Sequence, residues 1–214
     1  MPSSTTDNQT VFVVDDDEQM RESLCVLLEM LGFRVKAFDA PGSFRRFYRS
    51  EMAGCLILDI RMPRQSGLQL YEQLLAEDKR IPVIFITAHA DVSTAVAAMK
   101  TGAIEFLEKP FERGTLLDRI DKALALDTSW RERDAEFSAM AERVERLNHR
   151  DRETLALIQA GLTNKAIAGR LQLTERAVEM RRSTLMRKLR VRTLPELIEL
   201  TATHKILADL RRPT

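Results

Sequence analysis

The side chains best able to do chemistry are acids, a hydroxyl and an amine that close short apolar runs: Asp15, Asp16 and Asp17 after VFVV, Asp59 after CLIL, Thr87 after VIFI, and Lys109 within EFLEKP. If each run is a strand of one parallel sheet, its polar end arrives at the carboxyl edge, where such sheets bind ligands. Carboxylates crowded there repel one another unless a cation joins them. The set contains no His or Cys, and hard oxygen donors of this kind suit Mg²⁺. A carboxylate beside Mg²⁺ can attack a phosphoryl donor and become an aspartyl phosphate. Thr87 would then donate to one phosphoryl oxygen and Lys109 would neutralise another.

The elements needed to assemble that rim are legible. Strands are expected at Thr10–Val14, Arg34–Phe38, Cys55–Leu58, Val83–Thr87 and Glu105–Glu108. Helices are expected between them at Glu18–Leu31, Ala40–Tyr48, Gly67–Ala76 and Val92–Thr101, with a fifth starting near Arg113. Alternating βα units with near-continuous apolar strands predict an α/β fold, a doubly wound five-stranded parallel sheet covered on both faces. Residues 1–9 are polar and read as a disordered tail. Residues 10–126 form the α/β domain and 127–147 a linker, either a prolongation of the fifth helix or a frayed connector. Within it Trp130, Phe137, Met140, Val144 and Leu147 recur at helical spacing. Residues 148–214 carry four helical stretches and no strand signal: Asp151–Ala160, Asn164–Leu171, Glu175–Leu189 and Leu194–Leu207.

Other readings of the acids fit less well. A calcium loop needs spaced acids and a glycine, which DDDEQM lacks. A phosphatase of the haloacid dehalogenase type wants a second Asp two residues after the nucleophile, where Arg61 stands. Instead Asp15, Asp16, Asp59, Thr87 and Lys109, with the phrases LDIRMPRQSG, PVIFITAHAD and AIEFLEKPF, resemble the receiver domains of two-component response regulators, the FixJ branch in particular. The likeness covers residues 10–126 and implies the sheet order 2-1-3-4-5. It implies Asp59 as phosphoacceptor, Asp15 and Asp16 as metal-binding acids, and the backbone carbonyl of Arg61 as a further Mg²⁺ ligand alongside Asp59. It also implies Thr87 and Lys109 as catalytic partners, Phe106 as a rotamer switch, and a cis Lys109–Pro110 bond that aims Lys109 into the pocket. Asp17 is expected to start the following helix, where a carboxylate suits the dipole. His89 reads either as an influence on phosphate access or as a surface loop residue.

The formal net charge of +1 hides an asymmetry: residues 1–127 carry 15 basic and 20 acidic side chains, against 18 and 12 in 128–214. Within 164–192 nine Lys or Arg face only Glu175 and Glu179, a candidate surface for a polyanion. Ala166, Ile167 and Leu171, the turn Gln172-Leu173, the N-cap Thr174 and the buried side Val178, Leu185 and Leu189 have the cadence of a helix-turn-helix. GLTNKAIAGRL and TERAVE…MRKL resemble LuxR/NarL-type output domains. Candidate DNA contacts are Lys165, Thr174, Arg176, Glu179, Arg181, Arg182, Ser183, Arg187 and Lys188. Asn148 and His149 stand where the family has Thr and Pro, Ala177 where Thr is common, and Arg181 where His is common, so target sequence does not carry over.

Together these features lead us to expect a cytoplasmic transcriptional regulator, most simply an activator, phosphorylated on Asp59 by a partner histidine kinase. Expected partners are promoter DNA, RNA polymerase and, on phosphorylation, a second copy. No enzymatic activity is expected beyond the receiver's own phosphoryl transfer and dephosphorylation. No GxxxxGK[ST] loop suggests an ATPase. No apolar run approaches the ~18 residues of a membrane span, and the N-terminus lacks signal-peptide character. Cys25 and Cys55, set among Leu and Ile, read as buried thiols.

Overall fold

The computed structural model describes residues 8–88 and 105–210. His89 and the helix expected at Val92–Thr101 lie outside the described residues. The chain divides into two compact units, 1–131 and 132–214.

In the first unit, strands β1 (Thr10–Val14), β2 (Arg34–Phe38), β3 (Gly54–Asp59), β4 (Val83–Thr87) and β5 (Glu105–Glu108) form one sheet of order β2-β1-β3-β4-β5, all pairs parallel. β3 and β4 are buried along their whole length, as their unbroken apolar sequences require, whereas β2 at the edge exposes Arg34 and Lys36. Alternation along the strands separates two cores. Phe12, Leu56, Leu58 and Phe85 pack with helices α2 (Pro41–Phe47) and α3 (Gly67–Ala76). Val13, Ile57, Ile84 and Ile86 pack on the other face with α1 (Glu18–Met30) and the first turns of α4 (Arg113–Glu145). Cys55 is buried there and Cys25 is half-buried.

The register does the positioning. Val14 lies opposite Leu58, Asp59 opposite Ile86, and Thr87 opposite Glu108. Asp15, Asp59, Thr87 and Lys109 therefore emerge together at the carboxyl edge. Asp17 caps α1 by accepting from the amides of Gln19 and Met20, 3.0 and 3.3 Å away.

At the opposite edge of the sheet, the structure departs from the linker and tail boundaries expected from sequence. Asp127, assigned to the linker, is only 2% exposed, and Gln9, assigned to the tail, is buried. Asp127 accepts from the Gly54 amide at 2.9 Å, from Gln9 Nε2 at 3.3 Å and from Arg131 Nε at 3.0 Å. Arg131 in turn donates to the carbonyls of Glu51 and Met52, 3.2 and 2.5 Å away. The amino ends of β1 and β3 leave polar backbone groups that must find partners when covered. The α4 segment around Asp127 supplies them, so it belongs to the α/β unit. Gly54 suits this crossing: its φ is +148°, and a Cβ would lie 1.8 Å from the Thr10 carbonyl oxygen.

The second unit is all helical: the end of α4, then α5 (His149–Gln159), α6 (Asn164–Leu171), α7 (Glu175–Leu189) and α8 (Leu194–Leu210). Its core joins Leu147, Ile158, Ile167, Val178, Leu185 and Leu189. No helix among the described residues is long and apolar enough to cross a membrane.

Asp127→Ala leaves the buried Gly54 amide without its acceptor and the part-exposed Arg131 guanidinium with only its carbonyl partners, and an unsatisfied buried donor costs about 2 kcal/mol. Urea unfolding of the full chain, followed by the fluorescence of Trp130, its sole tryptophan, should begin at correspondingly lower denaturant. An unchanged midpoint would show that the network adds nothing to stability.

Candidate functional site: an acidic pocket and a basic helix

The pocket at the carboxyl edge is organised around one ammonium group. Lys109 Nζ donates to Asp15 Oδ2 at 2.7 Å and to Asp59 Oδ1 at 3.0 Å. Asp15 is almost wholly buried, Asp59 is 5% exposed and Thr87 is fully buried, while Asp16 faces solvent. Carboxylate oxygens of Asp15, Asp16 and Asp59 all lie within 4.8 Å of one another. Burial pushes the Asp59 carboxyl above its usual range; the Lys109 hydrogen bond pulls it down, and Asp15 and Asp16 push it up further. Burial also opposes the charge of Lys109, but its hydrogen bonds to Asp15 and Asp59 outweigh that and hold the ammonium above its usual range.

Backbone contacts fix each wall. Lys109–Pro110 is cis, and the Lys109 amide donates to the Thr87 carbonyl at 2.7 Å. Asp15 is steadied by the Asp17 amide on its Oδ1, and its carbonyl accepts from Arg21. Behind Asp59 the start of α3 approaches so closely that a Cβ on Gly67 would lie 2.2 Å from the Asp59 carbonyl oxygen. Ser66 and Gln69 form a capping box there, which sets where α3 begins. Sequence reading missed Gly67, although a Gly after Ser at a helix start was available as a signal. Arg61 stands two residues beyond Asp59 with an exposed side chain, and Phe106 is half-buried against the core on the α2/α3 face.

The donor set fits a hard divalent cation: three carboxylates converge and at least one opens to solvent. Such an ion, when bound, would neutralise charge on an incoming phosphoryl group.

The second candidate site is the exposed side of α7. Thr174 caps it by accepting from the Ala177 amide at 3.2 Å. Arg176, Glu179, Ser183, Arg187 and Lys188 are exposed, as is Lys165 on α6, while Arg181 and Arg182 are half-buried. Arg182 donates to Asn164 Oδ1 at 2.5 Å, and Lys188 Nζ lies 2.5 Å from Asp151 Oδ2. Thus two of the expected contacts already have partners within the unit. Arg143 at the end of α4 donates to the Leu189 carbonyl at 3.0 Å and closes the carboxyl end of α7.

Comparison with known proteins gives a family for each of the two regions. Residues 11–121 match the model of the response regulator receiver domain, and residues 145–201 that of the bacterial regulatory proteins of the luxR family. The transcriptional regulatory protein FixJ of Bradyrhizobium diazoefficiens is 36% identical over 93% of this chain and 97% of its own. Nodulation protein W of the same organism is 40% identical over 93% of this chain and 88% of its own. Among solved structures, the response regulator StyR superposes with a TM-score of 0.81 at 45% identity, covering 92% of this chain and 99% of that one. The chain therefore belongs to the two-component response regulators that join a receiver domain to a LuxR-type DNA-binding domain. Its FixJ-like relatives make it a regulator of transcription.

Because the folded pocket raises the Asp59 carboxyl, the stability that Asp59 contributes is present below the ordinary carboxylate range and lost as pH rises through its folded value. In chelator at pH 7, Asp59→Asn should therefore melt at a modestly higher temperature than the native chain. The advantage should shrink as pH falls below the ordinary carboxylate range. A lower melting temperature for Asp59→Asn at pH 7 would contradict this account.

Proposed function

We propose that the receiver accepts a phosphoryl group on Asp59 from a partner histidine kinase, and that phosphorylation promotes dimerisation and sequence-specific binding to promoter DNA. The observation that carries the reading is the single pocket in which Lys109 bonds both Asp15 and Asp59 with Asp16 alongside. In the transfer, a carboxylate oxygen of Asp59 attacks phosphorus, the bond to the donor's imidazole nitrogen breaks, and that nitrogen leaves with the electron pair. Asp15, Asp16, Asp59 and the Arg61 carbonyl would hold Mg²⁺.

Lys109 shifts from its carboxylate partners to the phosphoryl oxygens, and the Thr87 hydroxyl donates to another. Phe106 lies beside Phe85 in the register, two residues before Thr87, so an inward pull on Thr87 has an adjacent ring to carry with it. Switches of this type act by biasing a two-state surface. The readout is transcriptional activation through contact with RNA polymerase, in the cytoplasm. On DNA, Arg176, Glu179, Arg181 and Ser183 face base edges, and Lys165, Thr174 and Arg187 contact phosphates. Arg182 and Lys188 act from their intramolecular braces.

Acetyl phosphate with Mg²⁺ tests the chemistry directly. The native chain should gain one phosphoryl mass, and Asp59→Asn none. Asp16→Ala should slow the reaction steeply, while Asp17→Ala, which removes only a helix cap, should leave it near native. A phosphoryl adduct on Asp59→Asn, or equal losses in the two alanine variants, would show that the wrong acids are assigned.

The DNA contacts separate by salt. Arg187→Ala should weaken specific and random duplexes alike and flatten the log–log salt dependence by about 1. Binding isotherms across a salt series decide it; loss confined to the specific site would reassign Arg187 to base reading.

A further inference from the structure

Helix α7 buries Val178, Leu185 and Leu189 completely. With 3.6 residues per turn, the opposite side of the same helix is the line Arg176, Met180, Ser183 and Arg187, spaced by four, three and four. All four are exposed, and Met180 is 67% exposed. An apolar side chain thus occupies the middle of the face most distant from the core, between two arginines. The composition around it selects the partner: nine basic against two acidic side chains in 164–192 make this a surface for a polyanion. Arg182 follows Val178 by four residues and precedes Leu185 by three, so it lies beside the buried line, half-buried and committed to Asn164, and Met180 holds the centre of the opposite face.

Resting on the DNA-binding reading above, we infer that Met180 is a specificity-determining residue that packs its thioether on the C5-methyl group of a thymine in the major groove. That methyl is the apolar group a base pair presents there, and it marks T apart from C. An unbranched, polarizable side chain can follow it without demanding strict geometry. Met180 has no hydrogen-bonding reach to phosphate, so it contributes choice of base and not general affinity.

The test begins with the full chain, phosphorylated by acetyl phosphate, selecting duplexes from a random library. Failure to enrich any shared sequence would overturn the DNA-binding reading and this inference with it. In an enriched duplex each thymine is then replaced singly by deoxyuridine, which removes the methyl group and nothing else. The native chain should lose about fourfold in affinity at one position of each half-site, the worth of one buried methyl group. Met180→Ala should show the same loss on the thymine duplex, no further loss on the deoxyuridine duplex, and an unaltered salt slope. Met180→Leu should restore the thymine preference. If the native chain tolerates deoxyuridine everywhere, or if Met180→Ala keeps the full deoxyuridine penalty, the assignment falls while DNA binding stands. The same holds if Met180→Ala changes oligomeric state and leaves DNA affinity untouched, which would mark a protein contact instead.

Discussion

Lys109 holds two carboxylates at the end of a parallel sheet, and much of the receiver is arranged to make that contact tolerable. Asp15 and Asp59 are nearly buried, and without a cation between them their charges would repel in a medium that screens poorly. The ammonium reaches both only because β1, β3 and β5 end at the same edge and because the backbone of Lys109 is tied to Thr87. The pocket thus sets one ammonium between two acids, where it neutralises part of the charge of each. Asp16, nearby but open to water, leaves one side accessible to a metal ion.

The other edge of the same sheet carries a second buried polar node, and the contrast is instructive. There Asp127 collects an amide, a carboxamide and a guanidinium, so its charge is hydrogen-bonded from several directions and serves structure. Buried charges persist when every lone pair is used. At the carboxyl edge Lys109 bonds one oxygen of Asp15 and one of Asp59, and Asp16 faces solvent. Both nodes depend on close backbone approaches that admit only glycine, Gly54 at one edge and Gly67 at the other.

In the helical unit, polar side chains brace α7 at its ends and flanks. Thr174 closes its start, Arg143 its end, and Arg182 and Lys188 tie its flanks to α6 and α5. A helix held at both ends and on two sides has little freedom left to lose on binding. The exposed stripe of Arg176, Met180, Ser183 and Arg187 presents one apolar side chain among polar and charged ones.

Much of this was legible in the sequence. Apolar runs closed by Asp15, Asp59, Thr87 and Lys109 specified strands and the edge at which their polar ends gather, because parallel strands alternate with helices and must point one way. The helix-turn-helix was equally plain, since Thr174, the Gln172-Leu173 turn and the periodic Val178, Leu185 and Leu189 are local signals. What tertiary structure decided is which partner each polar group takes. Lys109 bonds Asp15 and Asp59; Asp127 and Gln9 are structural, though their surroundings in sequence read as linker and tail; Arg182 turns to Asn164. These choices join residues up to 118 positions apart, and local pattern cannot encode them. They follow from strand register and from the requirement that every buried donor and acceptor be paired.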